Sequence, residues 1–180
     1  ELPVVLGHQL STRLDSIKRA STACLNASLV AVMHEFTAAV QQALKAREVT
    51  APLMVVKGNG SLMPHTEAIR KPVETVLSGP AASTIGGRFF ADADDALVVD
   101  IGGTTTDMAL MRDQHVAISE AGARVGEIKT AVRAARIRTA VVGCDSRVHI
   151  NSDGDILTGP DRVVPLSRLA ATFPTIREDV

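Results

Sequence analysis

The chain has 180 residues, 46% of them hydrophobic and 22% charged, which is the make-up of a folded globular domain and excludes a disordered tail. Aromatics are only 2%, with no Trp and no Tyr, so the core has to come from Val, Leu, Ile, Ala and Met, and stacking surfaces for single-stranded nucleic acid are lacking. A formal net charge of −1 gives no footprint for duplex DNA or an anionic membrane, which leaves small molecules and proteins as the expected partners.

From Ser11 to about Glu48 no Pro or Gly interrupts the chain, and Leu25, Leu29, Val32, Phe36, Val40 and Leu44 recur every three or four residues. That spacing predicts a long amphipathic helix, capped by Ser11 or Thr12, stopped by Val49-Thr50-Ala51-Pro52 and kinked near Thr22. Leu53-Met54-Val55-Val56 then enters Lys57-Gly58-Asn59-Gly60-Ser61, which reads as a buried parallel strand with a glycine loop at its carboxyl end, where ligands sit in α/β sheets. Lys57 is either a phosphate contact or an exposed lysine. Pro64 to Arg70 predicts a short helix ended by Pro72. Ser78-Gly79-Pro80 opens another, capped by Ser78 and running toward Phe90, with Gly86-Gly87 weakening it or letting another backbone approach.

An acidic turn at 91–95 marks the expected internal boundary, separating a helix-dominated segment 1–91 from a β-rich segment 92–180. Ala96 to Ile101 reads as a buried strand, Gly102-Gly103 as a tight turn, Thr105 to Met111 as a second strand, and Arg112-Asp113-Gln114 as a hairpin into His115 to Ile118. Three antiparallel strands in succession are expected. Arg138 to Val142, Arg147 to Ile150 and Asp155 to Leu157 are further strands, the last two joined by the hairpin signal Asn151-Ser152-Asp153-Gly154. Phe173 to Val180 carries no element of its own. Arg124, Lys129, Arg133, Arg136 and Arg138 form a basic stretch that reads as a solvated face or a contact to further domains.

Cys24 and Cys144 are far apart and show no metal-ligand spacing, so neither a disulfide framework nor a zinc site is expected, and the cytoplasm is the default location. His8, His34, His65, His115 and His149 are scattered without ligand spacing. No uninterrupted run of about 18 apolar residues occurs, and no signal peptide is recognisable, so no membrane association is expected. The chain lacks an initial Met and opens on Leu2-Pro3-Val4-Val5-Leu6 like a strand under way. A fragment of a longer protein is expected.

The segment richest in chemistry is Val98-Val99-Asp100-Ile101-Gly102-Gly103-Thr104-Thr105-Thr106-Asp107. An apolar strand delivers a carboxylate, two glycines expose backbone amides, and hydroxyls follow, a combination that can cradle phosphate oxygens. Asp100 would hold Mg²⁺ or orient an attacking group, and Asp107 would act on the same metal-bound water or bond the turn. The alternative is a plain β-hairpin whose Asp and Thr bond their own backbone. No G-x-G-x-x-G follows a strand and no G-x-x-x-x-G-K-[ST] occurs, so the dinucleotide and P-loop fingerprints are both missing. Ser78-Gly79-Pro80 either presents helix-start amides to an anion or simply caps its helix.

Asp100 to Asp107 resembles a phosphate loop of the ATPase superfamily that holds actin, the heat-shock chaperones and sugar kinases, and its surroundings are similar to the hydantoinase A/5-oxoprolinase family. The supporting residues run in family order: Arg19 to Ala27, Lys57 to Ser61, Pro72 to Ala82, Ile137-Arg138-Thr139, and Asp153-Gly154 through Leu157-Thr158-Gly159-Pro160. The resemblance implies an α/β, ribonuclease-H-like fragment with a long amphipathic helix. It further implies the ATP-binding part of an ATP-dependent hydrolase that opens cyclic amides such as hydantoin or 5-oxoproline, by phosphorylation of an amide oxygen. In that reading Gly102, Gly103, Thr104, Thr105, Ser78 and Gly79 hold phosphate, while Asp100 and Asp107 are catalytic, with Asp100 on Mg²⁺.

A hydantoinase B-like second subunit is the implied partner. Two alternatives accompany this reading: a subunit of an acetone-type carboxylase, and a non-catalytic ATPase-like assembly domain. Family members carry two such loops, of which this chain has one, so the isolated chain is expected to be inactive. Val141-Val142-Gly143-Cys144-Asp145-Ser146 departs from a glycine-rich family stretch at Cys144, where a side chain is expected to alter the fit of nucleotide or substrate.

Overall fold

The computed structural model of the chain describes residues 4–91, 93–173 and 175. These described residues fall into two compact groups, one from the spans 4–98 and 109–136 and one from the spans 99–108 and 137–173.

The first group opens with the short helix α1 (Gly7–Leu10) and the 30-residue helix α2 (Ser16–Lys45). Asp15 caps α2 by accepting from the Lys18 amide at 2.9 Å, in place of the expected Ser11 or Thr12, and the helix is continuous through Thr22. Its buried stripe also differs from the hydrophobic pattern. Thr22, Asn26 and Thr37 are the buried positions, whereas Val32 and Phe36 are 63% and 60% exposed. Asn26 explains the inversion, since its side chain donates to the Arg70 carbonyl at 3.0 Å and accepts from the Val73 amide at 3.2 Å. The Thr22 hydroxyl accepts from the Ala131 amide at 2.8 Å, so this helix packs through hydrogen bonds to neighbouring backbone. By length and composition α2 is apolar enough to cross a membrane, a property the uninterrupted-run criterion had missed.

Strand β1 (Met54–Val56) pairs with β2 (Leu62–Pro64) in antiparallel register, Val55 opposite Met63, which corrects the expected parallel strand. A connection as short as 57–61 permits only an antiparallel return. Helix α3 (His65–Arg70) and a 3-10 turn (Pro72–Thr75) follow, then α4 (Ser78–Phe90). Ser78 is the first helical residue of α4 and not its cap. Leu77 occupies the cap position in left-handed conformation at φ 62° and makes no side-chain cap bond. Gly87 is required by a side chain, since a Cβ there would stand 2.9 Å from a methyl of Val98, while Gly86 faces open space.

Strand β3 (Ala96–Ile101) is not the buried strand its composition predicts, since Leu97, Val99 and Ile101 are 59%, 46% and 64% exposed. It lies at the edge of a sheet ordered β10-β4-β3, where β4 is Thr106–Arg112 and β10 is Ile137–Ala140. Strand β5 (His115–Val116) also pairs with β4, antiparallel, Met111 opposite Val116. Four two-residue strands then complete the first group: β6 (Ile118–Ser119) pairs with β9 (Ala134–Ala135), and β7 (Arg124–Val125) with β8 (Ile128–Lys129). Here exposed Arg124, Lys129, Arg133 and Arg136 flank buried Thr130, Ala131, Val132, Ala134 and Ala135, so the basic stretch is a solvated face over a small-residue core.

The second group contains the hairpin of β11 (Ser146–Ile150) and β12 (Ile156–Arg162), with Ile150 opposite Ile156. The Asn151 side chain accepts from the amides of Asp153 and Asp155, and Gly154 has φ +86°, so the turn forms as its residues dictate. An unforeseen helix, α5 (Leu166–Thr172), follows. The expectation of no element over Phe173–Val180 lies largely outside the described residues.

Candidate functional site

The turn between β3 and β4 is held from behind. The Gly102 amide donates to the Thr105 carbonyl at 2.8 Å, closing the turn. Each of the next carbonyls is then occupied: Gly102 accepts from the Cys144 amide at 3.1 Å, Gly103 from the Asp145 amide at 2.9 Å, and Thr104 from an Arg162 guanidinium nitrogen at 3.0 Å. The Thr106 hydroxyl donates to the Val142 carbonyl at 2.7 Å. The acceptors of the turn are thus consumed while donors remain. Among the described residues, the amides of Gly103, Thr104 and Thr105 and the hydroxyls of Thr104 and Thr105 have no intrachain acceptor. The Asp100 carboxylate is likewise without a partner among the described residues and is exposed.

Gly102 and Gly103 form the tight turn without positive φ, so the turn does not use glycine for a left-handed backbone. The tight contact is made by Gly143, where a Cβ would stand 2.5 Å from the Gly103 carbonyl oxygen and 2.6 Å from the Thr104 carbonyl carbon. At Gly103 a Cβ would meet nothing within 4 Å, so its free side opens to solvent. Cys144 is exposed, and only its backbone amide meets the turn. The one glycine this chain retains in that stretch is therefore the one the packing demands.

Asp107, at the start of β4, accepts from the Thr139 hydroxyl of β10 at 2.5 Å, which fixes one carboxylate oxygen. The loop 143–146 is braced in turn: the Ser146 hydroxyl accepts from the Gly143 amide at 2.9 Å, and Arg162 forms an ion pair with the Asp145 carboxylate. One guanidinium thus bonds both the turn and the loop that backs it, with the planar fork suited to the task. Sequence reasoning did not name Arg162 and quoted Asp145 only as part of the stretch 141–146, because the contact between them joins residues 17 positions apart.

Ser78 and Gly79 belong to the other group of residues. There they line an apolar hollow of about 340 Å³ with Phe36, Val40, Leu53, Met54 and Val56. Lys57 is ion-paired with Glu74 at 2.5 Å.

The sequence model of the hydantoinase/oxoprolinase family matches residues 19–167, a span that contains both the turn and the loop behind it. The chain belongs to the hydantoinase/oxoprolinase family. Within reach of that family it is 25% identical over 160 residues to the caprolactamase subunit alpha of Pseudomonas jessenii, covering 87% of this chain and 23% of that protein. It is 26% identical over 119 residues to the acetophenone carboxylase gamma subunit of Aromatoleum aromaticum, covering 64% of this chain and 16% of that protein. The chain therefore spans about a quarter or less of the curated relatives it matches. In fold it is similar to acetone carboxylase in its nucleotide-free structure, with a TM-score of 0.67 and 16% identity over 93% of this chain and 26% of that one.

Proposed function

We propose that this chain is the nucleotide-phosphate-binding part of an ATP-dependent hydrolase that opens cyclic amides. One observation carries the reading: the carbonyls of the turn 102–105 are tied to the chain while, among the described residues, three consecutive amides and two hydroxyls have no intrachain acceptor. Backbone in that state is a nest for an anion. A dry hairpin turn would have spent those donors on itself.

The residues present fit an ATP phosphate group. Gly103, Thr104 and Thr105 supply the amides, and the two threonines add hydroxyls. Among the described residues no three His, Cys, Asp or Glu side chains converge, so Mg²⁺ would be held by Asp100 and by the phosphates themselves, the usual division of its ligands. Bound ATP supplies the driving force for breaking a ring C–N bond that water alone attacks slowly. Asp107, oriented by Thr139, is placed to hold a water or the turn, and Arg162 keeps the nest's shape.

The ribonuclease-H-like reading of the fold belongs to this proposal, supported by the hairpin that carries the turn. So does a second subunit, supported by relatives that are themselves named as subunits. The hydrolase reading rests on the caprolactamase relative. A carboxylase subunit is the second reading, favoured by the acetophenone carboxylase relative and the acetone carboxylase neighbour.

The test is phosphate release from Mg-ATP by the full polypeptide with its second subunit, given hydantoin, 5-oxoproline or caprolactam, or a ketone with bicarbonate. Stimulation by a cyclic amide, lost in Asp100→Ala, is the expected result. Stimulation by ketone and bicarbonate alone selects the carboxylase, and unchanged turnover in Asp100→Ala overturns the site.

A further inference from the structure

The hairpin of β11 and β12, within the second group of residues, presents an exposed aliphatic face. In an antiparallel pair, directly opposed residues put their side chains on the same face, and alternate residues of one strand share it. Val148 stands opposite Thr158 and Ile150 opposite Ile156, so these four make up one face. Val148, Ile150 and Ile156 are 65%, 69% and 71% exposed, and none of the four residues is charged. The other face is mixed, with His149 opposite Leu157.

Strands left at the edge of a sheet are ordinarily guarded by charges, and a two-stranded hairpin alone is marginally stable in water. This face has no such guard, and among the described residues the sheet consists of β11 and β12 only. The base of the hairpin is nevertheless fixed. The Ser146 hydroxyl accepts from the Gly143 amide at 2.9 Å, and the Val163 amide donates to the Asp145 carbonyl at 2.7 Å. The face is therefore a preformed surface that costs little ordering to cover.

Area selects what covers it. Three aliphatic side chains offer on the order of 300 Å² of apolar surface, against about 800 Å² per partner in a stable complex of separate molecules. A segment of the same polypeptide needs no such area, because its tether presents it at an effective concentration in the millimolar range. The chain spans about a quarter or less of the curated relatives it matches, so proteins of this kind carry ample further polypeptide.

We propose that the face of Val148, Ile150 and Ile156 docks an uncharged, apolar stripe of the same polypeptide lying outside residues 1–180. The inference does not depend on the nucleotide reading, because its residues and its test involve neither the turn nor ATP.

The experiment is thiol alkylation of the full polypeptide, followed peptide by peptide, in the variants Ile150→Cys and Ile156→Cys, with the same thiols in urea as the reference. Both thiols are expected to react at least about tenfold more slowly in the folded protein, as a site reached only by local opening requires. That protection should be the same at low and high protein concentration and without the second subunit. Hydroxyl-radical footprinting of Ile150 and Ile156 in the wild-type polypeptide reads the same protection without any substitution, so the answer does not hang on how the variants fold. Reaction in the folded protein at the rate found in urea, with wild-type footprinting equally strong, overturns the proposal. So does protection that appears only as concentration rises, which assigns the face to a second copy, or only when the second subunit is added, which assigns it to that subunit.

Discussion

Gly143→Ala probes the backing of the turn most sharply. The added Cβ would sit 2.5 Å from the Gly103 oxygen and 2.6 Å from the carbonyl carbons of Gly103 and Thr104, and all three atoms are backbone, so no side chain can swing aside. Reaching an ordinary contact of 3.4 Å means separating turn and loop by about 0.9 Å. The bonds from the Cys144 and Asp145 amides, at 3.1 and 2.9 Å, flank this point and would stretch beyond hydrogen-bonding range. Overpacking costs about 1–3 kcal/mol and each of the two lost bonds about 1 kcal/mol, so a destabilisation of about 3–5 kcal/mol is expected if the turn moves. A shift of that size in the groups proposed to hold phosphate should lower turnover by about 100-fold. The assay is Mg-ATP affinity and phosphate release by the full polypeptide, beside its melting temperature. Gly103→Ala is the control: its Cβ meets nothing within 4 Å, so stability should change by less than about 0.5 kcal/mol while the group intrudes on the open side and weakens Mg-ATP binding. A Gly143→Ala protein with wild-type melting and wild-type affinity would refute the reasoning.

Arg162→Ala removes the bond to the Thr104 carbonyl and strands the Asp145 carboxylate, which is 20% exposed; a loss of about 1–3 kcal/mol is expected in denaturant unfolding, with a raised KM for Mg-ATP. Arg162→Lys keeps the charge without the fork and should recover only part of that KM change, whereas full rescue would reduce Arg162 to a simple counter-charge. Asn26→Ala leaves the Arg70 carbonyl and the Val73 amide unpaired in a buried place, and should cost about 2–3 kcal/mol by urea titration without touching nucleotide affinity. Glu67 accepts from Lys71 at 2.8 Å, and that hydrogen bond, helped by the charges of Lys71, Arg70 and Lys57 and opposed by burial, holds its carboxyl below the ordinary 4.5. A depressed carboxyl stabilises the fold fully above that ordinary value and loses the contribution as pH falls through the lowered one. Glu67→Gln should therefore narrow the difference in stability between pH 7 and acid by no more than about 1 kcal/mol, as befits a partly exposed pair.

The parts of the fold that were legible in the sequence are those encoded by local chemistry. Gly102-Gly103 between two apolar runs and Asn151-Ser152-Asp153-Gly154 both form turns where their residues call for them, and α4 starts where Ser78-Gly79-Pro80 indicates. The orientation of α2 was not legible, because hydrophobic periodicity pointed to Val32 and Phe36 while the buried stripe is built on Thr22, Asn26 and Thr37, whose partners lie far along the chain. The exposed face of β3 was hidden for a related reason: Leu97, Val99 and Ile101 have the composition of a buried strand, and composition cannot say what covers it. At the site, Asp100, the two glycines and the threonines mark the turn between β3 and β4. What braces that turn is long-range. Arg162 is 58 positions from Thr104, and the close approach that needs glycine is at Gly143.

The central claim is that the amides of Gly103, Thr104 and Thr105 hold nucleotide phosphate. A crystal structure of the full polypeptide with Mg²⁺ and a non-hydrolysable ATP analogue tests it most directly. The account requires phosphate oxygens within about 3.2 Å of at least two of those amides, with Asp100 on the metal side of the nucleotide. An analogue bound elsewhere, with the three amides still facing solvent, would contradict it.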